Sequence, residues 1–188
     1  MSHLDQFLQI LCGRFDNRTQ WEQMQELGEK EYPLARHVNT RCNDKILNLP
    51  ADFAGAFVLE ESYYTIGERT NASPHLFLFT EEGEGVKLTS YDLPKEAVKA
   101  GVTYETMEPI PFDQLQLSQK FTPAIYHWKD GVWEGGSVSM FTATLKFTLF
   151  ERFSPEVLEV SETMEVNGKR TFGYDVPIRY RPVHEQEN

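Results

Sequence analysis

The change in hydrophobic period at Pro33 constrains this chain more than any other feature. Before it, apolar residues recur at helical spacing, and after it apolar and polar residues alternate along most of the sequence. The segment GAFVLEESYYTIG, for example, places Leu59 and Glu61 on one face of a strand and Val58 and Glu60 on the other. The pattern predicts an all-β body made of antiparallel strands.

Turn signals divide this body into hairpins. Asp130-Gly131 and Asn167-Gly168 are typical of tight turns, and SVSMFTATLKFTLFERF, EVLEVSETMEV and GKRTFGYDVPIRYRP predict three strands late in the chain. About eight to ten strands in up-and-down order favour a closed antiparallel, lipocalin-like (calyx) β-barrel, because closure removes exposed strand edges. A β-sandwich has the same periodicity and stays open as the alternative.

Two short helices are predicted before the barrel. The first carries an apolar stripe of Leu4, Phe7, Leu8 and Leu11. The second is expected from Asn17 to about Leu27, with a stripe of Trp21, Met24 and Leu27.

The second helix begins with a pattern typical of a capping box. Asn17 can accept a hydrogen bond from the first turn, and Gln20, three residues later, can reach back to the cap. We therefore expect a single domain with a helical segment at 1–32, a β-barrel at 33–183 and a frayed polar tail at 184–188.

Charge and cysteine content limit the partners and the compartment. The 188 residues carry a formal net charge of −11, which disfavours nucleic acid and anionic membrane surfaces. No apolar segment is long enough to span a bilayer, and Cys12 and Cys42 are too few for a disulfide framework. A cytoplasmic protein with two free thiols is the expectation.

No short motif assigns a reaction, and the five histidines are too scattered to predict a metal site. Charged residues within apolar strands are the more informative feature, since those that faced a barrel lumen would need a partner there. A solvated outer face explains most of them. The residues concerned are Arg36, Arg41, Glu61, Lys146, Glu162, Arg170 and Arg179.

The stretch GRFDNRTQ has the form Gly-x-Phe-x-Asn-x-x-Gln, given by Gly13, Phe15, Asn17 and Gln20. Placed after an N-terminal apolar helix, it resembles the opening motif of the T-type phycobiliprotein chromophore lyases, the CpcT/CpeT family. The later order is similar too: a strand like ARHVNTR, an acidic-aromatic strand like LEESYYT, and a closing region with an Asn-Gly turn.

The resemblance implies a calyx-like barrel, often dimeric, that binds an open-chain tetrapyrrole (a bilin). It further implies assistance in attaching the bilin, through a thioether, to a cysteine of a phycobiliprotein-like acceptor. Glu61 is then the candidate catalytic carboxylate. The candidate ligand-binding residues are Asn17, Gln20, Arg41, Tyr63, Trp128 and Arg170.

Two other functions remain open. Family members commonly carry a Pro-Tyr-Arg-x-Arg segment after the acidic-aromatic strand, and its arginines suit bilin propionates. Here the corresponding residues are Pro74-His75-Leu76-Phe77-Leu78. This departure favours a non-catalytic barrel that binds another hydrophobic small molecule. The remaining alternative is an interaction module whose lumen is filled by its own side chains.

Overall fold

A computed structural model describes residues 1–183 of the chain. The predicted tail, 184–188, lies outside the described residues. The helices are α1 (His3–Leu11), α2 (Arg18–Glu26) and α3 (Lys95–Ala100), with short 3-10 helices at Asn43–Lys45 and Phe112–Gln114. The strands are β1 (Gly13–Asp16), β2 (Leu34–Arg41), β3 (Ile46–Leu47), β4 (Ala56–Ile66), β5 (Arg69–Glu82), β6 (Gly85–Asp92), β7 (Ile110–Pro111), β8 (Gln116–Leu117), β9 (Ala124–Lys129), β10 (Val132–Met140), β11 (Leu145–Phe153), β12 (Leu158–Val166), β13 (Lys169–Phe172) and β14 (Ile178–Pro182).

Ten of these strands close into an antiparallel barrel, as the alternating pattern predicted. Each barrel strand pairs with the next along the chain, in the order β1, β2, β4, β5, β6, β9, β10, β11, β12 and β14. Pairing of β14 with β1 closes the ring. The structure is therefore an up-and-down barrel rather than a sandwich, and β8 and β13 extend it at its margins.

The tight turns lie where the sequence predicted them, because Asp130 and Asn167 both adopt a positive φ, each followed by a positive-φ glycine. The number of late strands was wrong. SVSMFTATLKFTLFERF contains the end of β10 and all of β11, since the Thr142 hydroxyl accepts hydrogen bonds from the N–H groups of Thr144 and Leu145 and makes a turn. Likewise, GKRTFGYDVPIRYRP contains both β13 and β14.

Helix α1 fills one end of the barrel. Its N-terminus is a capping box in which the Ser2 hydroxyl accepts from Asp5 N–H and the Asp5 carboxylate accepts from Ser2 N–H. Phe7 is fully buried, with its ring 5.0 Å from that of Tyr126 and 5.2 Å from that of Phe79. The apolar stripe predicted for this helix is confirmed, since all four of its residues are buried.

Helix α2 forms where expected, but the predicted capping roles of Asn17 and Gln20 are wrong. The Asn17 side chain makes no cap hydrogen bond; its amide donates to Pro33 O at 3.0 Å and its oxygen accepts from Ala35 N–H at 2.8 Å. The polar atoms of Asn17 are thus used to fix the start of β2. Trp21 and Met24 pack against the core, whereas Leu27 is 76% exposed.

A second apolar cluster lies on the outside of the barrel. The outward side chains of Phe57, Leu59 and Leu76 are buried beneath residues 93–115, which we call the strap, and beneath the loop that contains Ile46. Strands β3 and β7 join this loop to the strap by a short parallel pairing. The wall formed by β4 and β5 is therefore covered on both of its faces.

Candidate functional site

The barrel encloses a cavity of about 330 Å³ beyond the end that α1 fills. This volume is within the range of small-molecule sites, which are typically about 300–1,000 Å³. Leu11 at the end of α1 lines the cavity. Most of the lining is apolar and aromatic, and includes Phe77, Phe79, Leu88, Phe147, Leu149 and Phe153.

Strand alternation decides which side chains reach the cavity. On β4, Val58, Glu60, Ser62 and Tyr64 face inward, while the residues between them face outward. The register with β5 sets Glu60 opposite His75. Polar groups of neighbouring strands are thereby brought together inside an otherwise apolar barrel.

Three glutamates, Glu60, Glu151 and Glu162, line the cavity. Burial raises the pKa of Glu151 to about 8 and that of Glu162 to about 7. Burial, together with the charges of Glu151 and Glu162, holds the pKa of Glu60 well above its usual range. Near neutral pH, Glu60 and Glu151 therefore favour their protonated forms, and Glu162 is divided between its two forms.

The glutamates have few partners among the described residues. Tyr126 donates its hydroxyl proton to Glu151 in a short hydrogen bond. Glu60 Oε2 lies 3.7 Å from Nδ1 of His37. For the side chain of Glu162, no hydrogen bond or ion pair is found within residues 1–183.

Two histidines that line the cavity are kept neutral by burial. Desolvation lowers the pKa of His37 to about 3 and that of His75 to about 4. The His37 ring stacks on Tyr180 with 4.2 Å between ring centroids, and its Nε2 lies 3.0 Å from Ser62 Oγ. Both histidines are thus oriented as neutral hydrogen-bonding groups.

The cavity opens to solvent where its lining residues are exposed, at Ser73, Thr122 and Phe172. Lys120 lies at this opening, with its Nζ 4.9 Å from the centre of the Phe141 ring. It is the one lysine or arginine among the described residues that line the cavity. The ionisable groups therefore change from carboxyl groups and neutral histidines inside to a lysine at the opening.

Ser62, His37 and Glu60 lie in the order of a nucleophile, a base and an orienting acid. The chemistry of such a triad requires a histidine that can accept a proton and a carboxylate that stabilises the resulting imidazolium. Here burial lowers the pKa of His37 to about 3 and holds that of Glu60 well above its usual range. With both groups neutral, the arrangement lacks the ionised carboxylate that such a triad uses.

The structure places the sequence-predicted catalytic residue on the outer face of the wall. Glu61 is buried under the strap, where it accepts hydrogen bonds from Tyr104 N–H at 3.1 Å and from the Tyr63 hydroxyl at 2.7 Å. The Arg36 guanidinium stacks over the Tyr63 ring at 4.5 Å. Glu61 and Tyr63 thus lie together, but outside the cavity.

The other predicted ligand-binding residues are dispersed. Gln20 holds α2 against β14, since its amide donates to Pro177 O and its oxygen accepts from Arg179 N–H. Arg41 is exposed at the end of β2, and Arg170 pairs with Asp175 on the surface. Trp128 is 50% exposed and contacts the edge of Trp133. None of the seven predicted residues, Asn17 and Glu61 included, is among the residues that line the cavity.

Sequence reasoning missed Glu60, Glu151, His37 and His75 as cavity residues. Strand alternation did carry the signal. Once Phe57 and Leu59 are assigned to the outer face of β4, the residues that alternate with them, Glu60 included, must face inward. No pattern in the sequence indicates that the strap buries that outer face, so the apolar residues there were indistinguishable from a barrel interior. Glu162 was singled out by its charge in an apolar strand, and it does face the cavity.

Comparisons with known proteins add no family assignment, since no protein-family model and no curated protein matches this sequence. Within residues 1–183, no group of three or more histidine, cysteine or acidic side chains is arranged to hold a metal ion. The same residues include no helix that is long and apolar enough to cross a membrane.

Proposed function

We propose that this protein binds a small, largely apolar molecule inside its barrel. The observation that carries the proposal is the cavity of about 330 Å³ with an aromatic lining and three inward glutamates. An interaction module with a filled lumen accounts less well for this interior. Phe7 and its neighbours fill one end only, and the space beyond them is open to solvent near Lys120.

A bilin is the first candidate ligand, on the strength of the resemblance to the T-type lyases. The flat side chains of Phe77, Tyr64 and Tyr126 supply apolar walls for a conjugated molecule, and inward carboxyl groups are suitable acceptors for pyrrole N–H groups. In this proposal the role of the carboxyl group that contacts the bilin, which was predicted for Glu61 from the sequence, belongs to Glu60, Glu151 and Glu162.

A lyase would pass the bilin to a cysteine of another protein. The chain's own thiols are poor acceptors, because burial raises the pKa of Cys12 to about 11 and that of Cys42 to about 12, and the thiolate is the reactive form. Proximity of the bound bilin to the acceptor's thiol would then supply most of the effect. The acceptor would approach the opening that Lys120 marks.

A non-catalytic barrel for another hydrophobic molecule is the second candidate. The observation that favours it is the lining itself, since Lys120 is the one basic residue with a constant charge among the described residues there. Two bilin propionates would have a single cationic partner at the opening and three acidic groups inside. A ligand without carboxylates fits this lining better.

An absorption titration tests both candidates. The protein is mixed with biliverdin, and binding in the cavity is expected to shift and sharpen the visible band and to induce circular dichroism. Leu149→Trp, which fills the cavity, should abolish the signal, while Phe150→Trp on the opposite face of the same strand should keep it. An unchanged spectrum, combined with displacement of the uncharged dye Nile red by other apolar compounds, would reject the bilin and retain the binding protein.

A further inference from the structure

The charges inside the cavity restrict what its occupant can be. Glu60, Glu151 and Glu162 reach it from three different strands; the charges of Glu151 and Glu162 raise the pKa of Glu60, and the charge of Glu162 raises that of Glu151. Lys120 is exposed at the opening rather than placed among them. Hence the enclosed part of the cavity contains carboxyl groups that can accept hydrogen bonds, and none of the described residues places a lysine or an arginine among them.

A second observation points to a missing partner at the same site. Asn39 lines the cavity and is 3% exposed. Its amide donates to Leu11 O at 2.9 Å, but its oxygen has no hydrogen-bond partner among the described residues. A buried acceptor of this kind is costly unless a donor reaches it. The register of β2 with β4 places Asn39 directly opposite Glu60.

We infer that the occupant of the barrel carries an organic cation, a protonated nitrogen with at least one N–H group, which lies among Glu60, Glu151 and Glu162 while its apolar body contacts the aromatic lining. The inference rests on the proposed binding function and deepens it by naming the ligand's chemical class. It applies to the natural ligand of the barrel, a bilin included.

Protonation supports this assignment. Burial raises the pKa of Glu162 to about 7 and that of Glu151 to about 8, so at neutral pH Glu151 keeps its proton and Glu162 keeps it in part. A bound cation stabilises the carboxylates instead, and each carboxyl group that ionises releases its proton to solvent. Cation binding is therefore expected to strengthen as the pH rises through this interval.

The other titratable groups at the site do not produce the same dependence. The histidines titrate well below neutral pH because burial lowers their pKa values to about 3 and 4. Burial raises the pKa values of Tyr64, Tyr126 and Tyr180, so these hydroxyl groups stay protonated in this interval. The groups that face the glutamates, apart from one another, are His37, His75, Tyr64, Tyr126, Tyr180 and Lys120.

Three matched probes separate charge from apolar contact. They are phenylbutylammonium, its neutral isostere with a methyl group in place of the ammonium group, and a phenylalkyl carboxylate of the same length. Each competes with the uncharged dye Nile red, first at about pH 6 and then at about pH 8.5, on either side of the glutamates' pKa interval. An alkylammonium group titrates at about pH 10.4, well above this interval, so any pH dependence belongs to the protein.

The expected result is that the ammonium compound binds about tenfold more tightly than the neutral isostere at the higher pH and loses most of this preference at the lower pH. Glu162→Gln should reduce the preference. Glu165→Gln, on the outward face of the same strand and paired with Lys146, should leave it unchanged. Equal binding of the two compounds, or a preference for the carboxylate, overturns the cation assignment and leaves the binding function intact. No displacement by any probe overturns both.

Discussion

Glu60 and Glu61 are consecutive residues of β4, and their side chains lie on opposite sides of the barrel wall. Glu60 faces the cavity, with the His37 ring 3.7 Å away, whereas Glu61 is covered by the strap and accepts hydrogen bonds from Tyr63 and Tyr104. One carboxyl group is therefore available to a ligand, and the other fastens an outer segment to the barrel.

Matched glutamine variants of these two residues are expected to behave in opposite ways. Glu61→Gln leaves one acceptor oxygen for two donors, so the free energy of unfolding should fall by about 1–3 kcal/mol while affinity for Nile red stays unchanged. Glu60→Gln removes a buried ionisable group without removing a hydrogen bond, so stability should not fall. Urea denaturation and dye titration of both variants provide the measurement. Equal losses of stability would contradict the division of roles.

The cavity glutamates also make the stability of the empty protein depend on pH. Burial raises the pKa of Glu162 to about 7 and that of Glu151 to about 8, so the folded state binds more protons than the unfolded state below these values. Their contribution is fully present below the ordinary glutamate pKa and is lost as the pH rises through 7 and 8. The lowered histidine pKa values act in the opposite direction, but only below their ordinary value of 6.5.

Between about pH 6.5 and pH 8.5, the free energy of unfolding should therefore fall by about 1–3 kcal/mol. Urea midpoints across this interval measure the change. The double variant Glu151→Gln, Glu162→Gln should make the profile shallower and leave the contribution of Glu60, whereas Glu159→Gln, whose side chain pairs with Arg152 and Arg179 outside the barrel, should follow the parent protein. A parent profile that is already flat would show that the glutamates ionise freely in the cavity.

The fold was largely predictable because local patterns determine it. Alternation over β4 and β5, the positive-φ turns at Asp130 and Asn167, and the apolar stripe of α1 all act over a few residues. The site was less predictable because it depends on which of two consecutive strand residues faces inward. A shift of one residue along β4 exchanges Glu60 for Glu61, and the strap that buries the outer face makes both faces apolar.

Asn17 illustrates the same limit at the helix. The sequence pattern predicts a helix cap. The Asn17 side chain instead makes hydrogen bonds to the backbone of residues 33 and 35, and so joins the start of α2 to the start of β2. Asn17→Ala should then cost about 1–3 kcal/mol, because Ala35 N–H and Pro33 O lose their partners in a buried place. Thermal and urea denaturation measure this loss. Gln23→Ala, exposed on the same helix, is the control and should change stability little.

The plug formed by α1 sets the depth of the cavity, and Phe7 is its central residue. The ring contacts Phe79, Tyr126 and Trp133, at centroid distances of 5.2, 5.0 and 5.5 Å. Phe7→Ala should lower the free energy of unfolding by about 3–5 kcal/mol, because it removes a buried ring and leaves a void among these aromatic side chains.

The new void should also lengthen the binding site. In Phe7→Ala, apolar ligands with longer chains should gain affinity relative to short ones, and their binding should restore part of the lost stability by mass action. Gln9→Ala, on the exposed face of α1, should show neither effect. Dye displacement with alkylbenzenes of increasing chain length measures the preference. If the variant were destabilised but kept the parent's preference for chain length, the void would be closed off from the cavity, and α1 would support the barrel without setting the depth of its site.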